Sequence, residues 1–209
     1  MRKIQRELYP LSVFINCPFS PEYQPIFRAL LFAVWACGFR PRCALEGSDS
    51  SQNRLQKIEG IIEECKFGIH DISHVELDSN TGLPRFNMPF ELGMFFAAKR
   101  FGSPQQKQKM ALILDKKAYR YRNSLSDISG QDIVIHNGAA KTAIKQVRDW
   151  LDSCHPANRP LPGGDYIADQ YYKFCRQLPK ASAEQKLTAE ELTYADICRA
   201  IEAWLKDNM

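Results

Sequence analysis

Residues 11–151 alternate short β-type runs with segments of helical period, a pattern that specifies a parallel sheet covered by helices on both faces. The runs at residues 11–16, 39–45, 67–72, 110–114 and 132–136 read as five strands. Ser20 and Pro21 offer an N-cap and a first helical residue, and Ile26, Leu30, Ala33, Val34 and Cys37 then recur at helical spacing until Gly38 ends the helix. Leu55, Ile58, Ile62 and Cys65 mark a second helix. A third opens near Pro89 and runs to about Lys99, and Ala140, Ile144, Val147 and Leu151 mark a fourth. The chain is therefore expected to be α/β, with a flavodoxin-like parallel sheet of about five strands and helices on both faces.

Phe27, Leu31 and Trp35 make the far side of the first helix apolar as well. A helix apolar on both faces needs cover beyond the sheet, from the C-terminal segment or from a second subunit. Residues 1–153 are expected to form the α/β domain and residues 154–209 a helical C-terminal appendage. Pro156, Pro160, Pro162, Gly163 and Gly164 open that appendage as a loop. One helix is predicted over residues 165–178, with Tyr171, Tyr172 and Phe174 on its aromatic face. Another is predicted to start at Thr188, whose spacing to Glu191 makes a capping box, and to bury Ile197, Ile201, Trp204 and Leu205. Trp35, Tyr171, Tyr172 and Trp204 are expected in one buried region, formed by packing of the appendage on the core, by homodimerisation, or by both.

Charge and cysteine usage narrow the function classes. Of 209 residues, 28 are Lys or Arg and 24 Asp or Glu, giving a net charge of +4 without a basic tail or block. That balance suits an anionic small molecule and is weak support for nucleic acid as partner. The longest apolar stretch, residues 29–37, falls far short of the roughly 20 residues that cross a bilayer, and residues 1–7 lack an apolar signal core. No membrane partner and a cytoplasmic location are expected. The 7 cysteines are scattered, without the close pairs of a zinc site or a disulfide framework, so they read as reduced thiols and no metal is expected. The loop after the first strand has no glycine-rich phosphate cradle, and the chain has no serine-hydrolase elbow. A phosphate-accepting receiver domain needs an acidic pair after the first strand, where this chain has Asn16-Cys17.

In an open parallel sheet ligands bind beyond the carboxyl ends of the strands. Those ends carry Asn16 to Ser20, Glu46 to Asp49, His70 to Ser73, and Asp115 to Lys117, and the long connection over residues 74–88 is a candidate lid. Glu91 and Asp71 are the candidate catalytic residues. Glu91 is expected in the first turn of its helix, where free N–H groups and the dipole favour the carboxylate; it is either the anion that attacks or stabilises a sugar carbon, or a charge complementing the dipole. Asp71 either orients a ribose hydroxyl or forms an Asx turn or N-cap. His70 reads as a strand residue facing a helix. Asn16, Phe19, Ser20, Arg85 and Asn87 are the candidate substrate-binding residues. Asn16 either recognises a base or satisfies local backbone groups, Phe19 offers a ring for stacking, and Arg85 either forks onto phosphate or is an exposed loop arginine.

The sequence Asn16-Cys17-Pro18-Phe19 after the first strand, a third strand ending in Asp71, and Phe90-Glu91-Leu92-Gly93 on the next helix resemble the nucleoside 2-deoxyribosyltransferase-like group, which is structurally close to bacterial TIR domains. The resemblance covers roughly residues 11–114. It implies a flavodoxin-like core, with Glu91 matching the nucleophile of the transferases and Asp71 their strand-end aspartate. The transferases exchange bases on deoxyribose, and many TIR domains cleave the nicotinamide–ribose bond of NAD. Two positions depart from the transferases: Arg85 stands where they have an aspartate, and Asn87-Met88-Pro89 replaces their Gly-Thr pair. The resemblance implies cleavage or transfer of an N-glycosidic bond of NAD or a nucleoside or nucleotide through Glu91. No cofactor is expected, because NAD or a nucleotide enters as substrate or ligand. Analogy with TIR effectors adds antiphage defence and a defence-system partner protein. The alternative is a non-catalytic nucleotide sensor signalling to a protein partner, for which Arg85 and the Lys116-Lys117 pair would bind phosphate.

Overall fold

The computed structural model describes residues 7–47, 49–74, 82, 85–154, 160–188 and 190–209. Strands β1 (Ser12–Asn16), β2 (Arg40–Arg42), β3 (Phe67–Asp71), β4 (Met110–Asp115) and β5 (Ile133–Ile135) pair in parallel in the order β2-β1-β3-β4-β5. This is the flavodoxin-like order. Helices α1 (Gln24–Ala36) and α4 (Ala140–Cys154) share a core with Val13, Ile15, Phe67 and Ile69 on one face. On the other, α2 (Arg54–Glu63) and α3 (Asn87–Phe101) pack Ile58, Ile61, Ile62 and Phe95 against Phe14. The split follows from the pleat, which sends alternate side chains of each strand to opposite faces.

Several predicted boundaries move, each for a local reason. β2 is shorter than predicted because Arg42 turns its guanidinium onto Glu46 at 2.7 Å and Glu64 at 3.0 Å, while Glu46 Oε1 accepts the Cys43 N–H. Side-chain bonds thus bend the chain where a ladder would continue. The first helix begins as the 3-10 turn Pro21–Tyr23, and α1 proper starts at Gln24 without a side-chain cap from Ser20. The last helix starts later than Thr188. Thr188 donates its N–H to Glu191, but the reciprocal capping box forms at Thr193 and Asp196, immediately before the apolar period.

Helices α5 (Gly164–Glu184) and α6 (Tyr194–Asn208) cover the outer side of α1. The Phe32 ring lies 5.6, 5.5 and 5.7 Å from those of Tyr171, Phe174 and Trp204. Tyr171 donates its hydroxyl to the Pro25 carbonyl and Tyr194 to that of Pro41, each at 2.8 Å. The second apolar face of α1 is therefore covered from within the chain. Tyr171 is buried in this core and Trp35 and Trp204 pack against it half-buried, but Tyr172 is 41% exposed and meets it only through the neighbouring Tyr171 ring at 5.5 Å. Phe174 and Tyr171 occupy the inward stripe of α5, and the residue after Tyr171 is rotated about 100° away. No helix among the described residues is long and apolar enough to cross a membrane.

Candidate functional site

The sheet order turns outward in opposite directions from β1 and β3, and in sheets of this kind ligands bind beyond the carboxyl ends of the strands at that switch. Those ends are Asn16 and Asp71. The Asn16 amide donates to the Met88 carbonyl at 2.8 Å and to His70 Nδ1 at 3.1 Å, tying β1 to the first turn of α3. His70 faces α3 edge-on to Phe95, at 4.9 Å between centroids. Burial and then the Lys109 charge lower its pKa to about 3, so the ring is neutral.

Asp71 points to the opposite face, where it is fully buried. Its Oδ1 accepts the Ser73 N–H at 2.8 Å, which makes an Asx turn. Its Oδ2 accepts the Tyr23 hydroxyl and lies 3.0 Å from His136 Nε2. His136 Nδ1 accepts the Gly138 N–H at 3.0 Å, which puts the ring proton of a neutral imidazole on Nε2. Ser73 Oγ meets that same Nε2 at 2.9 Å. A hydrolase triad needs the carboxylate on one ring nitrogen and the serine on the other. Here both share Nε2, so the cluster orders Asp71 and does not activate Ser73. Burial, followed by the Asp71 charge, holds the Tyr23 hydroxyl protonated. Removing that donor in Tyr23→Phe is expected to cost about 1–3 kcal/mol by urea denaturation, because the carboxylate loses one of its buried partners. Equal stability of the two proteins would show that the Tyr23 bond does not hold the hub together.

Glu91 lies in the second turn of α3, beyond the free N–H groups of the first, because the helix begins at Asn87 and not at Pro89. It shares the sheet-facing stripe with Met88, Leu92 and Phe95 and is only 7% exposed. The expectation of a carboxylate held ionised by the helix start does not hold. Burial pushes its pKa up to about 7, with Arg54 at the head of α2 pulling the other way. Cys17 is buried just past β1. Its thiol is held well above the usual range by burial and then by the charges of Asp71, Cys43 and Glu91. Asp71 and Glu91 thus lie at the carboxyl edge on opposite faces of the sheet.

Around this point the surface is apolar. Phe86 and Phe90, one helical turn apart, are 58% and 57% exposed, and Leu45 and Leu55 are exposed at the same edge. Phe19 packs on Phe27 at 5.1 Å, Ser20 precedes the turn that leads into α1, and Arg85 and Asn87 are exposed before and at the start of α3, respectively. Arg85 lies within the charge range of Glu22, whose carboxyl its own backbone N–H and Ser20 hold below the usual range. Most of the candidate lid, residues 75–81, 83 and 84, lies outside the described residues. No family model matches the chain, and no curated protein matches it. Sequence reasoning placed Ser73 at the informative strand end without a role and missed Tyr23 and His136. His136 carried a usable signal, since it follows the fifth strand at the carboxyl edge; Tyr23, inside a helix start, carried none.

Proposed function

We propose that the protein cleaves or transfers the N-glycosidic bond of NAD or a nucleoside or nucleotide, with Glu91 as nucleophile or cation stabiliser. The observation that carries this reading is a buried carboxylate in the apolar stripe of α3, at the switch point of the sheet, beside exposed Phe86 and Phe90. Its elevated pKa marks a group kept at a cost to the fold. In the reaction the C1′–N bond breaks with its electron pair going to the base, and the Glu91 carboxylate captures or shields C1′. Water or a second base then adds at C1′, any C1′–Glu91 bond breaks with its electron pair returning to the carboxylate, and the proton given up passes to the departed base. The ionised form is the one required, so the rate is expected to rise with pH through about 7. Chromatographic assay of the purified chain against NAD, nucleosides and nucleotides tests this, and failure to release base from any of them would remove the reading.

A binding-only module is the second reading. It is favoured by the commitment of Asp71 to Tyr23, His136 and Ser73, and of the Asn16 amide to Met88 and His70, which leaves these residues holding the fold. A nucleotide that raises the melting temperature yet is recovered intact after long incubation would favour it.

A further inference from the structure

Building on the reading of the crevice as a nucleotide site, we infer that its β4–β5 side is a phosphate subsite, so that the ligand is a phosphorylated nucleotide and not a free nucleoside. The segment after β4 carries Lys116, Lys117, Arg120 and Arg122, with Tyr119 and Tyr121 between them. Arg120 anchors it: the guanidinium donates to Asp115 Oδ1 at 2.6 Å and to the Ser73 carbonyl, joining the segment to the ends of β4 and β3. Tyr119 adopts a φ of 60° before the 3-10 turn Arg120–Asn123, and that turn brings the Arg122 guanidinium to 4.4 Å from the exposed Tyr119 ring. Lys116 runs along the turn that follows His136, with its Cε 3.4 Å from where a Cβ on Gly138 would stand. Asp115 is the acid that neutralises Arg120, and Asp127 sits in the next turn. Lys116, Lys117 and Arg122 are exposed.

A second observation points to a ligand on this side. Asp115 Oδ2 is buried at the end of β4 without a hydrogen-bond partner. Such an acceptor is costly in a folded protein and marks the end of β4 as held for something other than stability. The start of α3 and the segments after β2 have the opposite chemistry, with buried Glu91 and exposed Phe86, Phe90, Leu45 and Leu55. Apolar and aromatic surface suits a base, whereas clustered cations suit phosphate oxygens. The ends of β1 and β4 are two strand spacings apart, about 10 Å, which is the scale of one nucleotide.

The test compares calorimetric binding of NAD, AMP and adenosine to the full chain, unaltered and as Lys116→Ala/Lys117→Ala, with Arg122→Ala as a second variant. All three side chains are exposed, so the fold persists, and circular dichroism checks it. AMP and NAD are expected to bind at least about tenfold more tightly than adenosine. The double variant should lose about tenfold or more for the phosphorylated pair while leaving adenosine unchanged. Equal binding of AMP and adenosine, binding of none of the three, or a double variant that binds all three as before would overturn the subsite. The two readings fail separately. Phosphate-dependent binding with NAD, AMP and adenosine all returned intact supports the subsite and counts against the cleavage. Cleavage of adenosine and AMP with equal KM removes the subsite and leaves Glu91 in its role.

Discussion

Glu91→Gln is expected to lower base release by at least about a hundredfold while making the protein more stable at alkaline pH. The amide keeps the shape of the side chain but cannot carry the negative charge that an oxocarbenium-like transition state requires. The stability gain follows from linkage. The Glu91 pKa is raised from 4.5 to about 7 by burial, so folding favours its protonated form. That contribution is complete below pH 4.5 and is lost as pH rises through about 7, because the unfolded chain ionises first. The difference in unfolding free energy between the variant and the parent should therefore be near zero at pH 4, grow between pH 5 and 7, and level off above it. A gain of about 2–3 kcal/mol is expected at the plateau. Denaturant titrations of both proteins at a series of pH values measure it, and the comparison cancels the titration of His70 and Lys109, which both proteins share. Activity that survives the substitution would remove Glu91 from the chemistry, and a flat pH difference would mean that the carboxyl is solvated.

Truncation after Cys154 is expected to leave a chain that aggregates or lacks cooperative unfolding. Ile167, Tyr171, Phe174, Leu178, Ile197 and Ile201 are buried in the same core as α1 and α4. Their burial contributes on the order of 10 kcal/mol, comparable with the whole stability of an ordinary domain. Removing α5 and α6 also bares the side of α1 that carries Phe32. Phe174→Ala is the milder form of the same experiment, with an expected loss of about 3–5 kcal/mol. A truncated chain as soluble and stable as the full one would show that residues 1–154 form a complete core by themselves.

The exposed carboxyl edge explains why both effects fall where they do. The core of α1, α4, α5 and α6 is continuous and carries stability, whereas the acids and aromatics beyond the strands are held at a cost. Glu91 in an apolar stripe and Asp115 with an unpaired oxygen are examples. Local choices that disfavour the fold collect at sites that serve something else.

Much of the architecture was legible in the chain because the signals that specify it are local. The period of Ile26, Leu30 and Val34 makes a helix wherever it is placed, and the pairing of Phe27 and Leu31 behind them already demanded a second cover for α1, which α5 and α6 provide. The run Met110 to Leu114 could only be a buried strand. What the sequence left open depends on partners far along the chain. Asp71 meets Tyr23 across 48 residues, and Ser73 meets His136 across 63. No spacing announces either pair. Even the choice between Thr188 and Thr193 as the start of α6 turned on which cap had an apolar stripe with a core to dock on, since both satisfy the local rule. The raised pKa of Glu91 has the same origin: the start of α3 and the burial of the side chain are set by what the sheet and α2 place around it, and desolvation there outweighs the pull of Arg54.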